Sequence, residues 1–367
     1  MKIAIDARWI FPEISGIGNY TRQLLREFSR MDMPHTLLVL FSDPVLMERT
    51  LSDPELVSAS NLEPRCLPWS VFSPQSQLRL PGFLRKEGVD VFHSPNYMIP
   101  LLAFPRSRGG RVKCVTTIHD VIPLVFPDHA PKSRKTRLFP IFRALMTEVG
   151  RRSDAIITVS EASRRDILKQ LRIASGHADK VYTVYNGASA CFSPSPSPSL
   201  PEGGNDRPRT LLYVGRADPY KNVDALVRAL ALVRSSTDMD VRLQIAGAPD
   251  PRYPQATELA ETLGVSSAVT WTGYLMDDAL VNAYRTADLL VHPSRYEGFG
   301  LQIVESMACG TPVVCSNGGS LPEVAGDAAI QFDPDDVDAL VQAITRVLTQ
   351  PELAADMRER GFAQSAR

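Results

Sequence analysis

The chain has 367 residues, of which 44% are hydrophobic and 22% charged. These proportions exclude disorder over the whole length and are typical of a globular protein with a substantial core. Lys and Arg number 40 against 41 Asp and Glu, a near-neutral balance that argues against a dedicated nucleic-acid binder. At about 150 residues per domain, the length favours two domains, with one large domain as the alternative.

The sequence also bears on the cellular compartment. It contains no run of about 18 apolar residues, so we expect no membrane-spanning helix. The N-terminus reaches Asp6 after three apolar residues, which does not fit a secretory signal. Five scattered cysteines without a CxxC pair predict neither a disulfide framework nor a thiolate zinc site. A reducing cytoplasm is the simplest expected compartment.

Short apolar segments in the first half of the chain predict strands at residues 3–7, 37–41, 89–92, 112–118, 155–159 and 181–184. Helical spacing predicts helices between some of them, at residues 20–30 and 161–171, the second with Ser160 as its N-cap. Strands that alternate with helices predict a parallel sheet covered on both faces.

A Pro, Ser and Gly-rich stretch at residues 191–208 is the predicted linker, since proline and glycine disfavour helix and central strand. It separates a first domain at 1–190 from a second at 209–350. In the second domain the pattern predicts strands at 211–214, 241–246, 269–272, 289–292 and 313–315, and helices at 223–233, 256–263, 279–286, 301–309 and 340–348. The predicted fold is therefore α/β, with two doubly wound Rossmann-like domains facing each other across a ligand-binding cleft.

The stretch from His292 to Pro312 is the most informative for function. A predicted strand ends at His292, and a loop with two glycines then leads into a helix, whose N-terminus favours anions. Glu297 lies in this loop and Glu305 lies one turn into the helix. Two carboxylates here fit sugar hydroxyls better than a phosphate. The alternative is a capped helix with two solvated glutamates.

Together with other motifs, this stretch resembles the retaining family-4 glycosyltransferases of the GT-B fold over nearly the whole chain. The further motifs are Ile5-Asp6, Gly16-Ile17-Gly18, His119-Asp120, Val159-Ser160, Asn186-Gly187, Gly215-Arg216, Lys221-Asn222 and Leu321-Pro322-Glu323-Val324. Gln302 stands where the family often has proline, and Ser306 where it usually has alanine. Neither difference removes a functional group.

The resemblance implies a donor site in the second domain. It assigns Arg216 and Lys221 to the donor diphosphate and Glu305 to the ribose hydroxyls. It assigns Glu297 to the hydroxyls of the transferred hexose. The rest of the implied donor site is formed by Gly298 and the backbone amides of Phe299, Gly300 and Leu301. The alternative for the two cations is a surface pair beside Asp218 and Asp224.

Further implied residues come from other parts of the chain. The resemblance places His119 beside the transferred sugar, in the catalytic centre, whereas a lone histidine is more often structural. It assigns the backbone amides of Gly16 and Gly18 to binding of the donor phosphate and to the acceptor side of the site. Tyr274 and Leu275 follow a predicted strand and are expected to line the pocket of the base.

No metal and no cofactor are expected, the nucleotide-sugar being a substrate. Asp238-Met239-Asp240 is similar to a metal-binding DxD motif but precedes its strand, at the wrong end for a cleft site. Asp336-Val337-Asp338 lies at a predicted helix start, where acids complement the helix dipole. We interpret both as structural.

Residues 132–172 contain eleven Lys and Arg against four acids. Solvated helix faces are one interpretation. The other is a contact with anionic lipid headgroups on the inner face of the cytoplasmic membrane, or with a lipid-diphosphate-linked acceptor.

The resemblance implies transfer of a hexose from a nucleotide-sugar to a hydroxyl of a glycan or lipid-linked saccharide, with retention. The expected donor is GDP-mannose, as in bacterial mannosyltransferases of surface-polysaccharide assembly, and UDP-glucose is the open alternative. An epimerase or hydrolase of the same fold and a non-enzymatic nucleotide-sugar sensor are the rival classes. Residues 351–367, with a helix at 352–360, are expected to cross back to the first domain, and the domains to rotate about the linker.

Overall fold

The computed structural model describes residues 1–12, 16–57, 59–106, 110–127, 139–193 and 207–367. These residues form two compact units. The described residues within 1–121, 139–159 and 164–184 belong to the first unit, and those within 122–127, 160–163 and 185–367 belong to the second. Most of the predicted linker, residues 194–206, lies outside the described residues.

The first unit contains a seven-stranded, all-parallel sheet in the order β3-β2-β1-β4-β5-β6-β7. Its strands are β1 (Lys2–Ile5), β2 (Thr36–Phe41), β3 (Leu62–Cys66), β4 (Val91–Ser94), β5 (Lys113–Thr117), β6 (Ala155–Thr158) and β7 (Val181–Thr183). The inner strands are short apolar runs because helices cover both faces of a parallel sheet. The predicted parallel α/β architecture is confirmed.

The helices of the N-terminal half are α1 (Gly16–Arg30), α2 (Pro44–Leu51), α3 (Pro54–Val57), α4 (Pro74–Lys86), α5 (Ile122–Val125), α6 (Phe139–Arg152) and α7 (Glu161–Gln170). Side-chain caps fix several of their starts. Asp43 accepts hydrogen bonds from two amides of α2, and Ser73 accepts one from Ser76 N at 3.1 Å in α4. Ser160 accepts one from Ser163 N at 3.0 Å and caps α7, as predicted.

The second unit contains a six-stranded parallel sheet in the order β10-β9-β8-β11-β12-β13. Its strands are β8 (Arg209–Val214), β9 (Val241–Ala246), β10 (Val269–Trp271), β11 (Leu289–His292), β12 (Val313–Ser316) and β13 (Ala329–Phe332). Its helices are α8 (Val223–Ser236), α9 (Gln255–Thr262), α10 (Asp277–Thr286), α11 (Leu301–Ala308), α12 (Leu321–Ala325), α13 (Val337–Thr349) and α14 (Pro351–Ser365). Its core lies between the sheet and the inner faces of α8 and α13, where Leu226, Leu230 and Ile344 are fully buried.

The C-terminal helix is longer than expected. The helix α14 continues through Gly361 to Ser365, where we expected an end near residue 360. Glycine suits this position because a Cβ there would lie 3.3 Å from Met307 Cγ of α11. Arg358 Nε donates to Gly310 O at 2.7 Å, and Gln364 Nε2 donates to Val324 O at 3.0 Å. These contacts hold the helix to the second unit. The expected crossing of residues 351–367 to the first domain stays a prediction.

The basic stretch is only partly described. Four of its cations, Lys132, Arg134, Lys135 and Arg137, lie outside the described residues. In α6, Arg151 and Arg152 pair with Glu148 at 3.1 and 3.0 Å. Contact with anionic lipid stays a prediction. Across the part of the chain that the structure describes, no helix is long and apolar enough to cross a membrane.

A close approach of two strand ends sets one strict packing requirement in the second unit. Gly215 follows β8 and Gly247 follows β9, and a Cβ on Gly247 would lie only 2.0 Å from the carbonyl oxygen of Gly215. The oxygen belongs to the backbone and the Cβ would be attached directly to it, so neither atom could move away without a shift of the backbone. Glycine is therefore required at position 247, where the end of β9 lies against the backbone of Gly215.

We expect Gly247→Ala to lower the free energy of unfolding by about 1–3 kcal/mol, the usual range for overpacking. Thermal unfolding measures it. Gly187→Ala in the same unit is the matched control, because a Cβ at Gly187 meets no atom within 4 Å. Equal melting temperatures for the two variants would contradict the packing requirement.

Candidate functional site

Two loops at the same edge of the second sheet carry most of the predicted donor-site residues. The strands β8 and β11 are parallel neighbours, with Leu212 in register with Leu290. Because carboxyl ends of parallel strands meet at one edge, the loop after β8 and the loop after β11 lie side by side. The first loop carries Arg216 and Lys221, and the second carries Glu297.

A buried ion pair joins these loops. Lys221 Nζ donates to Glu297 Oε1 at 2.7 Å and to Oε2 at 2.9 Å, with the two side chains only 12% and 9% exposed. Burial by itself would raise the pKa of Glu297, but Lys221 and His292 outweigh burial and hold that pKa well below its usual range. Burial likewise opposes the charge of Lys221, and the carboxylate of Glu297 outweighs it and raises the pKa of Lys221. Both groups are therefore charged at neutral pH.

His292, the last residue of β11, is a second partner of Glu297. Its Nε2 lies 3.0 Å from Glu297 Oε1 and 3.3 Å from Ser294 Oγ, and its side chain is completely buried. The imidazole stacks on the ring of Tyr213, with centroids 6.1 Å apart and planes at 18°. Tyr213 Oη in turn donates to Arg216 O at 2.7 Å. Sequence reasoning used His292 only as a strand end and missed Tyr213, for which the sequence carries no signal.

Arg216 differs from Lys221 in its surroundings. Its side chain is 47% exposed, and its Nε lies 3.1 Å from Oδ2 of the buried Asp218. Burial raises the pKa of Asp218 although Arg216 opposes the shift. The alternative of a surface cation beside Asp218 thus describes Arg216, whereas Lys221 is buried against Glu297.

Glycines and one serine hold the loop of Glu297 in place. Gly300 has φ +95°, and a Cβ there would lie 2.7 Å from Leu321 Cδ2. Gly319 has φ +60°, and a Cβ there would lie 2.6 Å from Glu297 O. Ser320 Oγ donates to Glu297 O at 3.0 Å and to Phe299 O at 2.8 Å. The loop is therefore fixed through two of its carbonyl groups.

The helix α11 begins directly after this loop, at Leu301. Gly298 and Phe299 are buried, and no described side chain caps the helix, whose N-cap is Gly300. The first amides of a helix lack partners within the helix and carry partial positive charge, so this terminus can accept an anion or a sugar oxygen. The predicted strand–loop–helix context of Gly298, Phe299, Gly300 and Leu301 is thus present.

Glu305 lies on α11, one turn after its start. Tyr284 Oη of α10 donates to Glu305 Oε2 at 2.7 Å. Burial raises the pKa of Glu305, and the bond from Tyr284 opposes this shift. Tyr284 is a supporting residue that sequence reasoning missed. Tyr274 is 66% exposed and Leu275 is partly buried, both in the loop after β10.

The remaining predicted residues, Gly16, Gly18 and His119, belong to the first unit. His119 follows β5, and its Nε2 donates to Pro95 O at 2.9 Å. The ring of Tyr20 meets the imidazole edge-on, with centroids 4.7 Å apart. Burial lowers the pKa of His119. Gly16 and Gly18 lie in the first turn of α1, which also carries Tyr20.

The two acidic motifs have structural partners. Asp240 precedes β9 and accepts hydrogen bonds from Arg234 at 2.8 Å and Arg242 at 2.9 Å. Asp336 caps α13 by accepting from Ala339 N at 2.8 Å. Among the residues that the structure describes, no three His, Cys, Asp or Glu side chains form a group that could hold a metal ion.

Comparison with known proteins gives matches over both halves of the chain. The family model "Glycosyltransferase Family 4" matches residues 14–190, and the model "Glycosyl transferases group 1" matches residues 200–364. The O-antigen chain mannosyltransferase B of Escherichia coli is 30% identical over an alignment of 390 positions, which covers all of this chain and 95% of that protein. The MMP alpha-(1->4)-mannosyltransferase of Mycolicibacterium hassiacum is 33% identical over 213 residues, 57% of this chain and 49% of that protein.

Solved structures match the whole chain as well. A sucrose-phosphate synthase from Thermosynechococcus elongatus superposes with a TM-score of 0.73 at 22% identity, covering 100% of this chain and 94% of that one. HepE of Anabaena, solved in complex with UDP and glucose, gives a TM-score of 0.73 at 20% identity, covering 100% of this chain and 95% of that one. At these identities the likeness concerns the fold.

The buried pair makes a prediction about stability and pH. In Lys221→Met, the carboxylate of Glu297 would stay buried without its cation, so we expect about 3–5 kcal/mol less unfolding free energy at pH 7. The depressed pKa of Glu297 gives wild type stability that is present above the unfolded value, about 4.3, and is lost as the pH falls below it. In Lys221→Met, burial should raise the pKa of Glu297. The free-energy cost of burying the unpaired charge then disappears as Glu297 becomes protonated. The difference between the two proteins should therefore narrow as the pH falls, which urea unfolding at several pH values measures.

Arg242→Met provides the control, since Arg242 forms an exposed pair with Asp240. It should change stability little at any pH. A loss in Lys221→Met that is no larger than in this control would contradict the assignment of a buried ion pair.

Proposed function

Because this chain belongs to the group 1 and family 4 glycosyltransferases, which have the GT-B fold, we propose that it transfers mannose from GDP-mannose to a hydroxyl of a glycan or lipid-linked saccharide. The proposed setting is surface-polysaccharide synthesis. The observation that carries the proposal is Glu297, a buried carboxylate kept ionised by Lys221 and His292 beside the uncapped start of α11. A fixed anionic acceptor next to a helix N-terminus suits a ligand that carries both hydroxyls and phosphates.

In this proposal the second unit binds the donor. Glu297 accepts hydrogen bonds from the hexose hydroxyls, and the amides around Gly300 bind the sugar and the phosphates. Glu305, oriented by Tyr284, accepts from the ribose hydroxyls. Arg216 and Lys221 face the diphosphate, where positive charge favours departure of the nucleotide. Tyr274 and Leu275 line the pocket of the base.

The proposed reaction retains the anomeric configuration. Glu297 is already bound by two donors and is a poor nucleophile, so front-side attack is the mechanism that fits this chain. The acceptor oxygen bonds to the anomeric carbon as the bond from that carbon to the phosphate oxygen breaks. The leaving diphosphate takes the electron pair and accepts the acceptor's proton. His119 of the first unit, which donates Nε2–H to Pro95 O, is proposed to contact the transferred sugar.

Mannose is preferred because the Escherichia coli relative that this chain matches over its full length is a mannosyltransferase by name. A UDP-glucose donor is the second candidate, favoured by the fold likeness to HepE, whose structure contains UDP and glucose. An epimerase or hydrolase of the same fold is the remaining alternative, and it would consume donor without an acceptor.

A nucleotide-sugar screen tests the donor. GDP-mannose at 100 times its Kd should add about 2.7 kcal/mol to the unfolding free energy, and other nucleotide-sugars should add less. NMR of the mannosylated product should show the anomeric configuration of the donor. A larger shift with UDP-glucose would replace the proposed donor, and consumption of donor without acceptor would favour a hydrolase or epimerase.

The source of positive charge at the diphosphate makes a further prediction. Arg216→Ala should lose about a hundredfold in kcat/KM, and thermal unfolding should accompany the assay because the change also removes a partner of the buried Asp218. Arg242→Ala, an exposed cation at the opposite end of the sheet, is the matched control and should keep full activity.

The same assignment requires that wild-type activity survive EDTA. An unchanged kcat/KM in Arg216→Ala would remove this residue from the diphosphate site. Activity lost in EDTA and restored by Mn²⁺ would transfer the role of the cations to a metal ion.

A further inference from the structure

We propose that His292 is a positioning residue that aims the carboxylate of Glu297 at the hexose. The inference rests on the proposed function, because it takes Glu297 as the residue that binds the hexose hydroxyls. It gives a role to a residue to which the resemblance assigns none.

The hydrogen bonds of Glu297 are unevenly divided between its two oxygens. Oε1 accepts from Lys221 Nζ at 2.7 Å and from His292 Nε2 at 3.0 Å, whereas Oε2 accepts only from Lys221 Nζ at 2.9 Å among the described residues. A carboxylate offers about four acceptor positions, two on each oxygen. His292 therefore fills Oε1 and leaves Oε2 with capacity for a hydroxyl.

Lys221 alone would not fix this orientation. Its ammonium is a compact charge on a flexible stem, and it contacts both oxygens at nearly equal distances. A carboxylate held only by such a cation could rotate or follow the cation when a diphosphate draws it away. His292 adds a directional bond from a rigid support.

The support of His292 is rigid because the residue ends a strand in the middle of the sheet. Its backbone pairs with Cys315 of β12. Its ring is fully buried and stacks on Tyr213, whose hydroxyl is itself held by Arg216 O. The imidazole therefore has little freedom to turn, and the direction of its Nε2–H is fixed.

Only one of the two ring nitrogens of His292 has a hydrogen-bond partner among the described residues. Because Nε2 faces a carboxylate, it carries the hydrogen, and Nδ1 is left buried with no hydrogen-bond partner among the described residues. An unpartnered buried polar atom is unfavourable for folding, and an apolar side chain would avoid it. The benefit of the residue must therefore lie in the bond to Glu297.

Three substitutions separate the two ring nitrogens. His292→Gln can place an amide nitrogen near the position of Nε2, His292→Asn places one near Nδ1 instead, and His292→Leu removes both. We expect His292→Leu and His292→Asn to lose about 10- to 100-fold in kcat/KM with GDP-mannose, the range for lost orientation of a binding group. His292→Gln should recover most of the activity.

The Kd of GDP distinguishes a positioning role from a structural one, because structural damage to the site would raise it. GDP lacks the hexose, so its Kd should change little in all three variants, while the Kd of GDP-mannose rises in the Leu and Asn variants. If the screen selects UDP-glucose, UDP and UDP-glucose replace these probes. Equal weakening of the nucleotide and the nucleotide-sugar would overturn the proposal, since it indicates general damage to the site.

A double-mutant cycle with Glu297→Gln tests whether His292 acts through Glu297. If His292 acts through Glu297, His292→Leu should cause no further loss in the Glu297→Gln background. Equal losses in both backgrounds would overturn the proposal. If His292→Leu fails to fold, the Gln and Asn variants, both polar and of graded length, carry the same comparison.

The cycle also separates this inference from the proposed function. Full nucleotide-sugar turnover in Glu297→Gln would remove Glu297 from the hexose site, and both proposals would fall. A large loss in Glu297→Gln with full activity in His292→Leu and His292→Asn would overturn the role of His292 alone.

Discussion

The ion pair between Lys221 and Glu297 is the interaction on which the second unit's site depends. It joins the loop after β8 to the loop after β11 and lies almost wholly out of solvent. Replacing a buried ion pair with apolar residues is often neutral or stabilising, so its presence is weak evidence for a role in stability. Its chemical consequence is clearer. The pair keeps two opposite charges in a dry site, each available to a ligand that offers both an anion and hydroxyl donors.

The position of this pair follows from the order of the strands. From β8 the chain proceeds outward to β9 and β10, and from β11 it proceeds in the opposite direction to β12 and β13. The loops after β8 and β11 therefore leave a crevice where the strand order reverses, which is where open α/β sheets bind ligands. The first unit has the same arrangement between β1 and β4, with β2 and β3 on one side and β5, β6 and β7 on the other. His119 follows β5, one strand away from that reversal.

The conformation of the loop that carries Glu297 depends on two positions that exclude a side chain as well as on hydrogen bonds. Side chains at Gly300 and Gly319 would strike Leu321 and the backbone of Glu297, and both glycines have positive φ. Ser320, which contacts two carbonyl groups of the loop, further restricts the path of the chain from β11 into α11. A loop held in this way places the carboxylate close to the start of the helix, and such preorganisation favours binding of a transition state.

The sequence by itself determined the parallel α/β architecture and the elements that bracket the site, because buried strands are apolar runs and helix starts carry local signals. It did not predict the edge strands β3 and β13, because Pro64 and its charged neighbours interrupt β3 and Gln331 interrupts β13; the edge strands β7 and β10 were predicted. Only the tertiary structure decided that Lys221 binds Glu297, 76 positions away, and that Arg216 pairs with Asp218 instead. Hydrogen bonds between side chains on different loops depend on strand order and on angstrom-scale packing, and neither leaves a periodic trace in the sequence. For the same physical reason the bond from His292 to Glu297 became visible only in the folded chain.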